Sequence, residues 1–141
     1  MALFVFCGCS WCYAVAREWA AAQRSGALSG AARVSGEVGP GPAADAAPPL
    51  ITLVAGSGME AKGCRNFAAH TGLDPAQTIL LPDPDRTVAE AYHAEPCPRV
   101  YVIDEGGTIR YINQGKDDGP RKAPAAVIVA HALAAMSAGA R

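Results

Sequence analysis

The chain has 141 residues, half of them apolar, and a formal net charge of −1 with acidic and basic residues interspersed. That is the length of one domain with a core to bury, and it carries no basic stripe of the kind nucleic acid or an anionic membrane surface would need. No apolar run approaches the roughly 20 residues of a membrane span, so neither nucleic acid nor a membrane is an expected partner. No charged region precedes the first apolar residues, and as written the chain is expected in the cytoplasm, or outside it if this is a processed or truncated form. Cys7, Cys9, Cys12, Cys64 and Cys97 make an odd number of cysteines, three of them within six residues. This crowding favours reactive or metal-binding use over the stapling of a secreted scaffold.

Residues 3–6, L-F-V-F, form a continuous apolar run, the pattern of a central strand buried on both faces. From Cys12 the period changes: Val15, Ala16 and Trp19 follow at helical spacing and define an inward face, predicting a helix from about residue 10 to residue 23 or 24, with Gly26 beyond it. Residues 25–49, rich in glycine, proline and alanine, offer few large apolar side chains and read as a long flexible loop. A second buried strand is expected over 50–55. Ser57 and Glu60 then have the spacing of a capping box for a helix reaching Thr71 and closed by Gly72. Cys64 and Phe67 share its inward face, which makes Cys64 a core residue. Residues 78–81 read as a short strand stopped by Pro82, and Asp83 with Pro84 as the start of a helix whose buried side is Val88, Ala91 and Tyr92. Residues 99–104 and 108–113, separated by Glu105-Gly106-Gly107, carry a hairpin signal. After a solvated turn around Lys116, Asp117 and Asp118, a last helix begins near Pro124. The order β-α-β-α-β-α-β-β-α predicts parallel early strands, a final antiparallel hairpin and a mixed five-stranded sheet between helical layers.

Chemistry is concentrated where the first strand gives way to the first helix. A cysteine at a helix N-terminus faces unpaired N–H groups and the positive end of the dipole, both favouring thiolate, which makes Cys9 the expected nucleophile. Cys12, one turn on and on the core-facing stripe, is the expected resolving thiol. Trp11 between them can shape a substrate surface or cover the core. His70 and His131 are expected to face solvent, and His93 to suit the end of the helix before Cys97.

The spacing F-x-x-x-x-C-x-W-C from Phe4 to Cys12, together with Pro96-Cys97-Pro98-Arg99 ahead of the hairpin, resembles the thioredoxin-like superfamily. Residues 57–81 and the stretch Leu81-Pro82-Asp83-Pro84-Asp85 are similar to its redoxin branch, which includes alkyl hydroperoxide reductase/thiol-specific antioxidant proteins and the reductases of cytochrome maturation. The resemblance covers nearly the whole chain except residues 25–49. It implies an α/β class, three-layer α/β/α sandwich in one domain, with Pro98 as a cis-proline lying against the Cys9/Cys12 site. Cys97, Pro98 and Arg99 would then meet the substrate. The implied activity is that of a thiol–disulfide oxidoreductase whose only cofactor is its redox-active disulfide. Its partners would be a protein or small-molecule disulfide and a dithiol reductant.

This sequence departs from the peroxidase pattern P-x-x-x-T-x-x-C. Ala2 and Phe6 stand ahead of Cys9, and Val5 and Cys9 ahead of Cys12, so a peroxiredoxin-like thiol peroxidase is the alternative activity. It departs from the reductases at Gly8, where a tryptophan is usual, and at Val15, where an acidic residue is common. A further alternative is a soft metal or an iron–sulfur cluster held by Cys7, Cys9, Cys12 and Cys97. Because Cys7 and Cys9 sit on strand-like backbone while the helix start redirects Cys12, residue spacing leaves convergence of the four open. With nothing before the first strand, one sheet edge is expected to be less protected, and a monomer or homodimer follows.

Overall fold

The structure, a computed structural model, describes residues 1–28, 51–94, 97–113 and 124–138. Most of the loop expected over 25–49, and the turn at Lys116, Asp117 and Asp118, therefore lie outside the described residues. Nine elements follow in the order β1 (Ala2–Phe6), α1 (Ser10–Arg24), β2 (Thr52–Ser57), α2 (Ala61–Thr71), β3 (Thr78–Asp83), α3 (Thr87–Ala91), β4 (Arg99–Ile103), β5 (Ile109–Ile112) and α4 (Ala125–Ala138). The five strands make one mixed sheet in the order β3-β2-β1-β4-β5. β1, β2 and β3 are parallel, and β4 runs antiparallel to both β1 and β5. As the apolar run at residues 3–6 predicts, β1 is the central strand and is buried throughout. The open edges are β3 and β5.

Alternation along β1 divides the core into two. Ala2, Phe4 and Phe6 face a large cluster with Val15, Trp19, Phe67, Ile128 and Ala132, which belong to α1, α2 and α4. Leu3 and Val5 face a smaller one with Ala55, Tyr101, Ile103, Ala89 and Ala94. The chain steps outward from β1 to β2 to β3 with α1 and α2 on one face. It then has to return past both strands to reach β4, and the short α3 covers the opposite face during that return. Trp19 is fully buried and satisfies its indole N–H on the Thr52 hydroxyl at 3.0 Å, tying α1 to the start of β2.

Four local expectations are corrected. Ser57 is the last residue of β2 and Glu60, the N-cap of α2, makes no side-chain cap bond, so there is no capping box. β2 runs two residues later than expected because its register with β1 and β3 begins at Thr52, while Ile51 is left 48% exposed. β3 continues through Pro82 to Asp83, which an edge strand permits because the missing N–H faces no partner strand. Asp83 does serve the following helix, but from within β3: its carboxylate accepts the N–H groups of Val88 and Ala89, both at 3.0 Å. The helix is therefore shorter, and Ala89 is its buried residue, while Ala91 and Tyr92 are exposed. Gly72 closes α2 in the left-handed conformation, as expected. Among the described residues no helix is long and apolar enough to cross a membrane.

Candidate active site

Four of the five cysteines meet at one end of the sheet. The antiparallel register of β1 with β4 pairs Val5 with Arg99, so continuing both strands by two residues sets Cys7 opposite Cys97. Their Cα atoms are 6.3 Å apart and their sulfurs are joined in a disulfide that spans 90 residues of sequence. Gly8 then turns the chain with φ of +79°, a conformation that favours glycine. A methyl group there would also lie 3.2 Å from Met59 Cε. The turn delivers Cys9 to the N-cap of α1, where its sulfur accepts the Cys12 N–H at 3.3 Å.

The Cys9 and Cys12 sulfurs are 3.2 Å apart, with Cys9 donating. Cys12 Sγ lies 3.9 Å from Cys7 Sγ and accepts the Cys7 N–H at 3.4 Å. All four sulfurs, Cys97 included, lie within 4.8 Å of one another. Convergence left open by residue spacing is thus achieved by the Gly8 turn and the β1–β4 register. The two thiols differ in setting. Cys9 is half-buried; Cys12 is fully buried, and burial pushes its pKa up to about 12, with the neighbouring Cys9 thiol adding to the rise and the Cys7 N–H opposing it. Near neutral pH Cys12 is therefore protonated.

The second segment is held by a residue that the motif does not flag. The Cys97–Pro98 peptide is cis, as the resemblance implies, and Pro98 is buried. Asn113, just past β5 and only 5% exposed, donates to the Pro98 carbonyl at 3.0 Å and accepts the Val100 N–H at 2.7 Å. It clamps both sides of Arg99. The hairpin signal ends at Asn113, and its place at the end of the hairpin is the only sequence cue to this role. The Arg99 guanidinium turns to the Asn113 carbonyl, and its Nε is buried with no partner among the described residues. Trp11 is half-buried and packs against the large core cluster. Cys64 is buried on α2, outside the four-sulfur group, as its position beside Phe67 predicts. His70, His93 and His131 are exposed.

No protein-family model and no curated protein matches this chain.

Proposed function

We propose that this protein is a thiol–disulfide oxidoreductase of thioredoxin-like type, with Cys9 as nucleophile and Cys12 as resolving thiol. The observation that carries the reading is the pair of sulfurs 3.2 Å apart across the first turn of α1, grouped with the sulfur that precedes the cis proline. The strand order and the position of the cis proline immediately before the antiparallel strand β4 support the fold assignment. The unequal burial of the two thiols supports the division of labour between them.

In this reaction the Cys9 thiolate attacks one sulfur of a substrate disulfide, and the other sulfur leaves as a thiolate and takes a proton. Cys12 gives up its proton and attacks Cys9, so the second substrate sulfur leaves and the Cys9–Cys12 disulfide remains. A dithiol reductant then restores the pair and is itself oxidised to a disulfide. Helix-dipole and N–H stabilisation at the N-cap favour the Cys9 thiolate. Among the described residues no carboxylate acts on Cys12, so its proton leaves without a buried carboxylate to receive it.

Reduction of insulin disulfides with a dithiol donor tests the proposal. Cys9→Ser is expected to lower the rate to background, and Cys12→Ser to accumulate a covalent adduct between Cys9 and a substrate thiol, visible as a mass increase. Full turnover by Cys9→Ser would overturn the assignment. Oxidation of one thiol within seconds by stoichiometric peroxide would instead favour the peroxidase activity.

A further inference from the structure

Beyond disulfide exchange, the four grouped sulfurs have the chemistry of a coordination set. A single zinc ion with Zn–S bonds of about 2.3 Å places its tetrahedral ligands roughly 3.8 Å apart. Here Cys7 and Cys97 are joined in the disulfide, Cys7 and Cys12 are 3.9 Å apart, Cys9 and Cys12 are 3.2 Å apart, and every pair lies within 4.8 Å, so opening the disulfide leaves four sulfurs around one point. An iron–sulfur cluster, whose bridging sulfides hold its irons apart, spreads its cysteine sulfurs wider than one ion does, so the spacing favours a mononuclear site. Two backbone N–H groups already point at ligand sulfurs, from Cys7 to Cys12 and from Cys12 to Cys9, and such bonds offset the negative charge of a four-thiolate centre. Two ligands come from the turn between β1 and α1, the third from the first turn of α1, and the fourth lies two residues before β4. That is enough separation in sequence to fix the geometry through the sheet itself.

We propose that the reduced protein binds one zinc ion through the thiolates of Cys7, Cys9, Cys12 and Cys97, and that formation of the Cys7–Cys97 disulfide expels it. The balance is simple. A dithiol reduces the Cys7–Cys97 disulfide by two electrons and becomes a disulfide itself; the four thiols then release their protons as the ion binds. In the reverse direction a disulfide oxidant takes two electrons from the Cys7 and Cys97 thiolates, which join, and the ion loses two of its four ligands.

The test uses the full chain, reduced anaerobically with a dithiol and freed of it. Zinc titrated against a chromogenic chelator is expected to bind at one equivalent. Cobalt(II) is expected to give sulfur-to-cobalt charge-transfer bands with the visible bands of tetrahedral coordination. Protein carrying the Cys7–Cys97 disulfide should bind neither, and adding a disulfide oxidant to the loaded protein should release zinc in step with the loss of two thiols. Cys97→Ser should weaken binding by at least about 100-fold, whereas Cys64→Ser should leave it unchanged. Octahedral cobalt, binding well below one equivalent, or equal binding by the reduced and disulfide forms would overturn the proposal. The wild-type cobalt spectrum decides without any variant having to fold. Insulin reduction measured in the presence of chelator reports on the oxidoreductase reading separately, so either proposal can fail while the other stands.

Discussion

The first and second helices begin alike and end up doing different things. Each follows a parallel strand, packs on the same face of the sheet, and buries a cysteine near its start: Cys12 in α1 and Cys64 in α2. Burial pushes both thiols up in pKa. Around Cys12, however, lie three more sulfurs and the Cys7 N–H, whereas Cys64 packs beside Gly56, where an added methyl would come within 2.5 Å of its sulfur. The difference comes from topology. β1 is the strand that gains an antiparallel neighbour when the chain returns from β3, so only its C-terminal end meets the start of β4 and the Cys97–Pro98 turn. A buried helix-tip thiol becomes chemically useful where the sheet changes direction and is packing material one strand away.

The largest effect expected from this contrast is a loss of stability in alkali. A cysteine whose folded pKa is raised contributes stability that is complete below its unfolded pKa, taken as 9.0, and is lost as pH climbs toward its folded value of about 12. Between these limits the unfolded chain sheds the Cys12 proton first, and the difference amounts to at most about 4 kcal/mol. Cys64 and Tyr101, also raised by burial, pull in the same direction. Denaturant unfolding of the protein carrying the Cys7–Cys97 disulfide, from pH 8 to pH 11.5, should therefore show a steep decline. That decline should be distinctly shallower in Cys12→Ser and only slightly shallower in Cys64→Ser. Equal slopes in the two variants would show that the second thiol is as strongly shifted as the first, and would erase the contrast.

A smaller loss is expected on the β4 side of the site. Asn113→Ala removes the donor to the Pro98 carbonyl and the acceptor for the Val100 N–H, leaving two buried backbone groups unpaired. Each costs about 1–3 kcal/mol, so a loss of at least roughly 2 kcal/mol should appear in urea unfolding. Asn113→Asp keeps an acceptor for Val100 and should lose less. Because the clamp sets the path of Cys97–Pro98, the alanine variant should also slow insulin reduction, while any comparable change on α2 should not.

Much of this arrangement was legible in the residues. The apolar run at 3–6, the helical stripe Val15, Ala16 and Trp19, and the hairpin signal after Pro98 were sufficient for the element order and the mixed sheet. Cys9 at the N-cap and Cys12 on the buried face followed from the change of period. The Cys7–Cys97 bridge did not, because it depends on strand register, which is fixed by long-range pairing and has no local signature. Asn113 was hidden for a similar reason: its two partners lie 13 and 15 residues away, across the hairpin. The capping box at Ser57 failed because the local S-x-x-E pattern competed with the last β2–β3 pair, Ser57 with Asp83, and tertiary pairing won.

One cue was present and was underused. Gly8, with φ of +79°, lets the chain turn so that Cys7 and Cys9 both face the cluster instead of continuing along a strand. Gly8→Ala should cost about 1–2 kcal/mol, the price of holding an alanine at φ of +79°. Crowding against Met59 Cε, 3.2 Å from the new methyl, adds little because that atom ends a flexible side chain. Gly8→Asn separates the two causes. Its Cβ meets the same methionine, yet asparagine tolerates the left-handed region better than alanine, so it should be the less destabilised variant if backbone conformation dominates. Should asparagine be worse than alanine in urea unfolding, space around Met59 would be the constraint. The turn would then be set by packing from β2–α2, and the two helix starts contrasted above would be coupled through one side chain.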